Sequence, residues 1–171
     1  EYVLPPLWNT GSQKITWDLN LPTNIADGWS WGSNYRFIGQ CLLFLQQLPQ
    51  AKGVTDEQKR AWAAEANFLL AYYHMVTLVA YGPCPITDTY IDQATPESEY
   101  NGRMHFDYVK DWICQKFDEV CEDGQLPATR TGDEWGRATS VMAKALKARL
   151  LVYAASPLFN GSFPYKDWEN T

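Results

Sequence analysis

The sequence has few of the features that nucleic-acid binding, metal binding or membrane insertion require. Its 14 Lys and Arg residues are outnumbered by 20 Asp and Glu residues and form no basic run, so a nucleic acid is not an expected partner. The only histidines, His74 and His105, have no cysteine at metal-ligand spacing, and the acidic stretch 88–99 lacks the pattern of a calcium loop, so we expect no metal site. No stretch reaches the roughly 18 consecutive apolar residues of a membrane span, so we expect no part of the chain to cross a bilayer.

Motifs of the common catalytic centres are also missing. A nucleophile elbow, an H-E-x-x-H helix, a P-loop and a G-x-G-x-x-G turn do not occur. Neighbouring acids, as in Asp133-Glu134 and Glu122-Asp123, would suggest a glycosidase only if two carboxylates faced one bond about 5–10 Å apart. His74 falls between two apolar stripes of a predicted helix, which favours a hydrogen-bonded structural histidine over a general base. The sequence therefore predicts a protein that is not an enzyme and that needs no cofactor.

The four cysteines give no disulfide framework. Cys114 and Cys121 lie seven residues apart on a predicted helix, which separates their Cα atoms by roughly 10 Å, beyond the about 7 Å that a disulfide can span. We expect these two to be free core thiols, while a bridge between Cys41 and Cys84 stays open, and no cellular compartment follows. The chain begins at Glu1 with no initiator Met, signal peptide or lipobox cysteine, so we expect it to be processed or truncated.

Four helices are predicted between irregular end segments. Residues 1–33 contain several Pro and Gly residues and no sustained helical period, so we expect a loop-rich opening segment that holds four of the eight tryptophans. The strongest helix signal is Thr55 followed by Gln58, a capping box ahead of a period that continues to Tyr81. The helices are predicted at about 33–48, 55–81, 104–122 and 139–155.

The second predicted helix has two apolar faces. One stripe consists of Trp62, Ala66, Leu69, Tyr73, Val76 and Ala80, and the other of Ala64, Phe68, Tyr72, Met75 and Val79. Such a helix must be covered on both sides, as the inner helix of a stacked helical array is. The fourth predicted helix carries a stripe whose alanines permit close packing, formed by Val141, Ala145, Ala148, Val152 and Ala155. We therefore divide the chain into the opening segment 1–33, a helical region 34–157 and the start of a truncated downstream region 158–171.

Two blocks of the sequence carry a family resemblance. The first, at 64–73 and 81–86, reads A-E-A-N-F-L-L-A-Y-Y and Y-G-P-C-P-I. The second, at 136–139 and 143–161, reads G-R-A-T and A-K-A-L-K-A-R-L-L-V-Y-A-A-S-P-L-F-N-G. Both blocks resemble the SusD/RagB family of outer-membrane nutrient-binding lipoproteins. The first is similar to the family's helix A-E-A-[RK]-F-L-R-A-[YF] and to the aromatic-Gly-x-[VI]-P sequence that follows it. The second is similar to the family's segment G-R-A-T…A-x-A-L-x-A-R-x-x-L-Y-A-A-S-P-L-[FY]-N.

A softer likeness and several departures complete the comparison with this family. Trp31, Tyr35 and Ile38 are similar to the start of the family's first repeat helix. Asn67 and Leu70 stand where the family usually has basic residues. These departures cast doubt on local salt bridges at the two positions rather than on the fold. The remaining departures replace a usual Val or Ile by Cys84 and a common Asn by Cys41.

The resemblance implies both a fold and a function. The expected fold is all-α, with tetratricopeptide-like helix pairs and irregular loop-rich segments, although no repeat of about 34 residues is visible in the sequence. The expected function is a non-catalytic cell-surface glycan-binding subunit of a TonB-dependent nutrient uptake system, which serves polysaccharide utilisation in Bacteroidetes. Its implied partners are an oligosaccharide ligand and a SusC-like TonB-dependent transporter. Its implied place is the bacterial outer membrane, as a lipoprotein whose N-terminal lipid anchor lies outside this chain.

Tryptophans on loops are the candidate glycan contacts, because an aromatic face stacks on the C–H surface of a sugar ring at small entropic cost. The candidate ligand-binding residues are Trp8, Trp17 and Trp29, with Asn9 and Asp18 as hydroxyl partners, to which Asn20 and Asn24 can be added. For Trp29, and for Trp31, packing against helix ends is the competing interpretation. Tyr72 and Tyr73 are expected in the core, and Arg137 and Arg149 are expected to hold helix ends or buried acids.

A second function class stays open beside glycan capture. The same fold could serve as a peptide-binding protein or a helical scaffold. Glycan capture predicts solvent-exposed Trp on a shared face, whereas scaffolding predicts an apolar or charged concave groove.

Overall fold

A computed structural model of the chain describes residues 30–92, 94–122 and 125–160, and within these ranges it contains four α-helices and no β-strand. The helices are α1 (Trp31–Gln47), α2 (Asp56–Tyr81), α3 (Phe106–Glu119) and α4 (Ser140–Ala154). Short 3-10 turns occur at Leu48–Gln50, Glu97–Glu99 and Gly132–Glu134. All four predicted helices are therefore confirmed, and the fold is all-α.

Side-chain caps determine where the helices begin. The predicted capping box is present, since the Gln58 N–H donates to Thr55 Oγ1 at 3.2 Å and the Thr55 N–H donates to Gln58 Oε1 at 3.0 Å. Helix α1 begins at Trp31, slightly earlier than predicted, because the Ser30 hydroxyl accepts a hydrogen bond from the Ser33 N–H at 3.2 Å. The sequence thus specifies its helix starts locally, through short polar side chains.

Helix α2 is the inner helix of the array. It packs against α1 on one side and against α3 and α4 on the other. The main core cluster joins α2, α3 and α4 through residues that include Phe68, Leu78, Val109, Ile113, Phe117 and Leu150. A smaller cluster joins α1 to α2 through Ile38, Cys41, Leu42 and Leu70. Helix α2 is covered on both sides over most of its length, as expected, but Leu69 is 40% exposed and Tyr72 and Tyr73 are only partly buried.

The packing of helix α4 differs from the sequence-based expectation. The alanine-containing stripe is exposed along its whole length in the described structure, and its Val152 is 74% exposed. The face that packs on α3 carries Ala143 and Leu150 instead, with Leu146 partly buried beside them. Helix α4 has apolar residues around its circumference, so its periodicity does not single out one face.

The segment between α2 and α3 is anchored at both ends. Helix α2 ends at Gly82, whose φ of +72° is a conformation that residues with a side chain rarely adopt. Cys84 and Ile86 are then buried, and the Met104 N–H donates back to the Cys84 carbonyl at 3.3 Å. The Arg103 guanidinium donates to the Pro83 carbonyl at 2.9 Å. The two ends of this segment are therefore held next to each other, and its middle part lies at the surface.

Candidate functional site

The ligand-binding residues predicted from the sequence fall in the opening segment. Trp8, Trp17, Trp29, Asn9 and Asp18 all lie outside the residues that the structure describes, so their assignment stays a prediction.

Trp31 packs at helix ends, which confirms the competing interpretation for this residue. Its ring lies edge-on to Tyr81 with the centroids 5.4 Å apart, and its backbone N–H donates to the Tyr81 hydroxyl at 2.9 Å. The Arg103 guanidinium lies 4.6 Å from the centre of the indole, and the Tyr35 ring lies 5.0 Å from it. Trp31 thus joins the start of α1 to the end of α2.

A concave surface lies between α1 and the segment that follows α2. It encloses a cavity of about 370 Å³, within the usual size range of ligand pockets. Its aromatic walls are Trp31, Tyr35 and Tyr100, and Thr87 and Asn101 supply polar groups. The Tyr35 hydroxyl donates to the Pro85 carbonyl at 2.7 Å, and burial raises the pKa of this phenol above its usual value. This α1-side cavity is therefore rigidly built, with apolar walls and a few polar groups.

A second concave surface follows helix α2. Two neighbouring cavities of about 400 and 590 Å³ share Glu65 and Leu69 in their walls, and we call the pair the α2 groove. On the α1 side, Phe37 and Tyr73 stack with their centroids 4.9 Å apart. On the α4 side, Tyr72 lines the groove beside the first turn of α4. The two tyrosines expected in the core are thus only partly buried and face this α2 groove.

An ion-pair cluster closes one part of the α2 groove. The Glu65 carboxylate on α2 accepts hydrogen bonds from Arg130 at 2.5 Å and from Arg137 at 2.7 and 3.2 Å. Both guanidiniums also bind Glu134, at 2.9 and 2.7 Å. The Arg130 side chain is 9% exposed and that of Glu65 is 18% exposed, so this pair is less weakened by solvent than a surface pair, whereas Glu134 is 50% exposed. The role predicted for Arg137 is confirmed, whereas Arg149 is exposed and forms no ion pair within the described ranges.

The loop that this cluster holds carries Trp135, which sequence reasoning did not single out. Trp135 is 82% exposed, and it is the one described tryptophan that falls in the exposed class. Its backbone N–H donates to the Gly132 carbonyl at 3.1 Å. The sequence feature that could have pointed to this residue is a single Trp within the otherwise polar stretch 129–137.

His74 is a structural residue, as predicted. It is fully buried, its Nδ1 lies 2.8 Å from the Leu70 carbonyl, and its Nε2 accepts a hydrogen bond from the Thr87 N–H at 3.2 Å. The Nδ1 atom is therefore the protonated one. Burial lowers the pKa of His74 from 6.5 to about 4. Both ring nitrogens are engaged, so this imidazole cannot serve as a general base.

The remaining chemical groups show no reactive or metal-binding arrangement within the described ranges. All four cysteines are free thiols, so the bridge left open between Cys41 and Cys84 is not formed. Burial raises the pKa of the Cys84 thiol to about 12, far from a nucleophilic thiolate. The structure groups no three His, Cys, Asp or Glu side chains suitably for a metal ion in the part it describes. In that same part, no helix combines the length and apolar content that a membrane crossing demands.

Comparison with known proteins finds relatives among solved structures. No family model and no curated protein matches the sequence. A structure named BT4246 is 55% identical, with a TM-score of 0.84 over 100% of this chain and 28% of that one. A SusD-like protein from Bacteroides fragilis NCTC 9343 is 23% identical, with a TM-score of 0.70 over 85% of this chain and 27% of that one. Surface glycan-binding protein A from Bacteroides thetaiotaomicron, in complex with laminarihexaose, is 23% identical, with a TM-score of 0.63 over 78% of this chain and 26% of that one.

Proposed function

We propose that this SusD-like chain, which has the sequence blocks of the SusD/RagB family and the SusD-like fold, is part of a cell-surface protein that captures glycans without altering them. The chain spans about 28% of the length of BT4246, so the proposal concerns the whole protein. That protein would be a lipoprotein of the bacterial outer membrane. It would pass an oligosaccharide to a SusC-like TonB-dependent transporter.

One observation carries the proposal. The chain shares its fold, with a TM-score of 0.63, with a surface glycan-binding protein that holds laminarihexaose. Two features of the chain itself agree with glycan binding. The α1-side cavity has aromatic walls with polar groups among them, and Trp135 presents its indole to solvent.

A titration of the full-length protein tests this function. Tryptophan fluorescence would be followed while plant, host and microbial glycans are added, with Trp8→Ala and Trp17→Ala variants beside the wild type. We expect saturable binding to one glycan class, and its loss in either variant would locate the site in the opening segment. Wild-type protein that binds no glycan in the panel would contradict the proposal.

Peptide binding is the second candidate, and the α2 groove favours it. The groove is mainly apolar and runs between α1 and α4 over a combined volume that suits one face of an amphipathic helix. The same fluorescence titration with an amphipathic helical peptide distinguishes the two functions. Two results together would establish the scaffold function instead. The wild type would bind the peptide but no glycan, and Leu69→Asp would abolish the peptide binding.

A further inference from the structure

Trp135 is exposed to a degree that is unusual for a tryptophan. Its side chain is 82% exposed, although tryptophan is among the most extensively buried residue types on average. The other tryptophans of the described ranges, Trp31, Trp62 and Trp112, are all partly buried. A single exposed apolar residue is common on protein surfaces, but an indole that is 82% exposed leaves most of the largest apolar side chain in solvent.

The loop beneath Trp135 is held firmly in place. Glu134, the preceding residue, forms ion pairs with Arg130 at 2.9 Å and with Arg137 at 2.7 Å. Both arginines are in turn bound to Glu65 of helix α2. The backbone around the indole is closed by the Trp135 N–H bond to Gly132 and by the Arg137 N–H bond to Glu134, both at 3.1 Å. The indole is therefore presented from a fixed backbone, so a ligand would order little of the loop on binding.

Two glycines set the shape of this loop. Gly132 has a φ of +62° and Gly136 a φ of +93°, both in the region that favours glycine. They stand on either side of the three residues Asp133, Glu134 and Trp135. The backbone therefore adopts conformations that favour glycine both before and after the segment that carries the indole.

The surroundings of the indole are polar. Every residue from 131 to 136 is exposed, and Trp135 is the only large apolar side chain among them. The hot spot of a protein–protein interface is instead ringed by contacts that exclude water, and its core is depleted of charge. An isolated indole in a polar loop that also carries the exposed Asp133 fits a ligand with an apolar face and hydrogen-bonding edges. A pyranose ring has this character, since its C–H face stacks on an aromatic ring and its hydroxyls donate to carboxylates.

We propose that Trp135 is a glycan-stacking residue, held by the Glu65–Arg130–Arg137–Glu134 ion pairs as a platform for one sugar ring of a bound oligosaccharide. This inference rests on the glycan-binding function proposed above and adds a contact site for it. Trp135 is a different residue from the Trp8 and Trp17 candidates, so its variants test this contact independently of theirs.

The test uses the full-length protein and the glycan that the panel titration identifies. Hydroxyl-radical footprinting with mass spectrometry reports the oxidation of Trp135 in the free and the glycan-bound protein. Calorimetric titration compares Trp135→Ala and Trp135→Phe with the wild type. Tyr108→Ala is the matched control, because Tyr108 is also an exposed aromatic residue, at 61%, but lies on α3.

We expect rapid oxidation of Trp135 in the free protein and protection on glycan binding. Affinity should fall roughly tenfold in Trp135→Ala, fall less in Trp135→Phe, and stay unchanged in Tyr108→Ala. Circular dichroism would confirm that each variant is folded. Unchanged glycan affinity in Trp135→Ala, or an indole that the free full-length protein already shields from oxidation, overturns this inference and leaves the proposed function standing. Failure of the wild type to bind any glycan overturns both.

Discussion

The buried histidine of helix α2 gives a stability prediction that can be worked from the structure. His74 is fully buried and neutral, with a pKa lowered from 6.5 to about 4 by burial. Between these values the unfolded chain takes up a proton that the folded chain does not, so stability decreases as the pH falls from about 6.5 towards 4. At about 1.4 kcal/mol per pH unit, His74 alone removes about 3 kcal/mol of the free energy of unfolding over this range.

A His74→Gln variant isolates this contribution, because glutamine does not titrate. The full-length wild type and variant would be unfolded in urea at several pH values between 7.5 and 4.5, with far-UV circular dichroism as the signal. We expect the wild type to be more stable at pH 7.5, and the difference to shrink by about 2–3 kcal/mol at the lowest pH. Thr77→Val is the control, since Thr77 is equally buried on the same helix but has no titratable group. A stability difference between wild type and His74→Gln that stays constant with pH would refute the reasoning.

Three further predictions follow from the packing, and urea unfolding of the full-length protein checks the first two. Glu65→Gln should cost about 2–3 kcal/mol because it removes the more buried of the two carboxylates that Arg130 and Arg137 share. Asp118→Asn, which breaks an exposed pair, should cost less than about 1 kcal/mol. Equal costs would contradict the ion-pair account. Phe117→Ala should cost about 3–5 kcal/mol, since Phe117 is 1% exposed in the main core, and a cost below about 1 kcal/mol would contradict that placement. Mass mapping after alkylation without reductant should find Cys41 and Cys84 modified only in denaturant, and a disulfide between them would contradict the free thiols of the structure.

The features that were predictable from the sequence are those that neighbouring residues determine. The Thr55–Gln58 capping box starts α2 as expected, because its hydrogen bonds join residues three positions apart. The two apolar stripes of α2 likewise predict an inner helix, because a helix that is buried on both sides needs apolar residues on both faces.

The features that were not predictable depend on contacts between distant parts of the chain. Helix α4 has apolar residues around its whole circumference, so only its packing against α3 decides that Leu150 is buried and Val152 exposed. The exposure of Trp135 could not be predicted from its neighbours in sequence. Its loop is held by ion pairs between residues about 70 positions apart, such as Glu65 and Arg137. The predicted glycan contacts at Trp8 and Trp17 lie outside the described residues and stay predictions.

The central claim is that the whole protein holds a glycan and does not change it. The most direct measurement saturates the full-length protein with an oligosaccharide of the class found in the panel, determines the bound fraction at equilibrium, and analyses the recovered saccharide by mass spectrometry after prolonged incubation. We predict saturable binding with the oligosaccharide recovered at its original length. Recovery of shorter products would show a hydrolase, and the absence of any bound saccharide would contradict glycan capture itself.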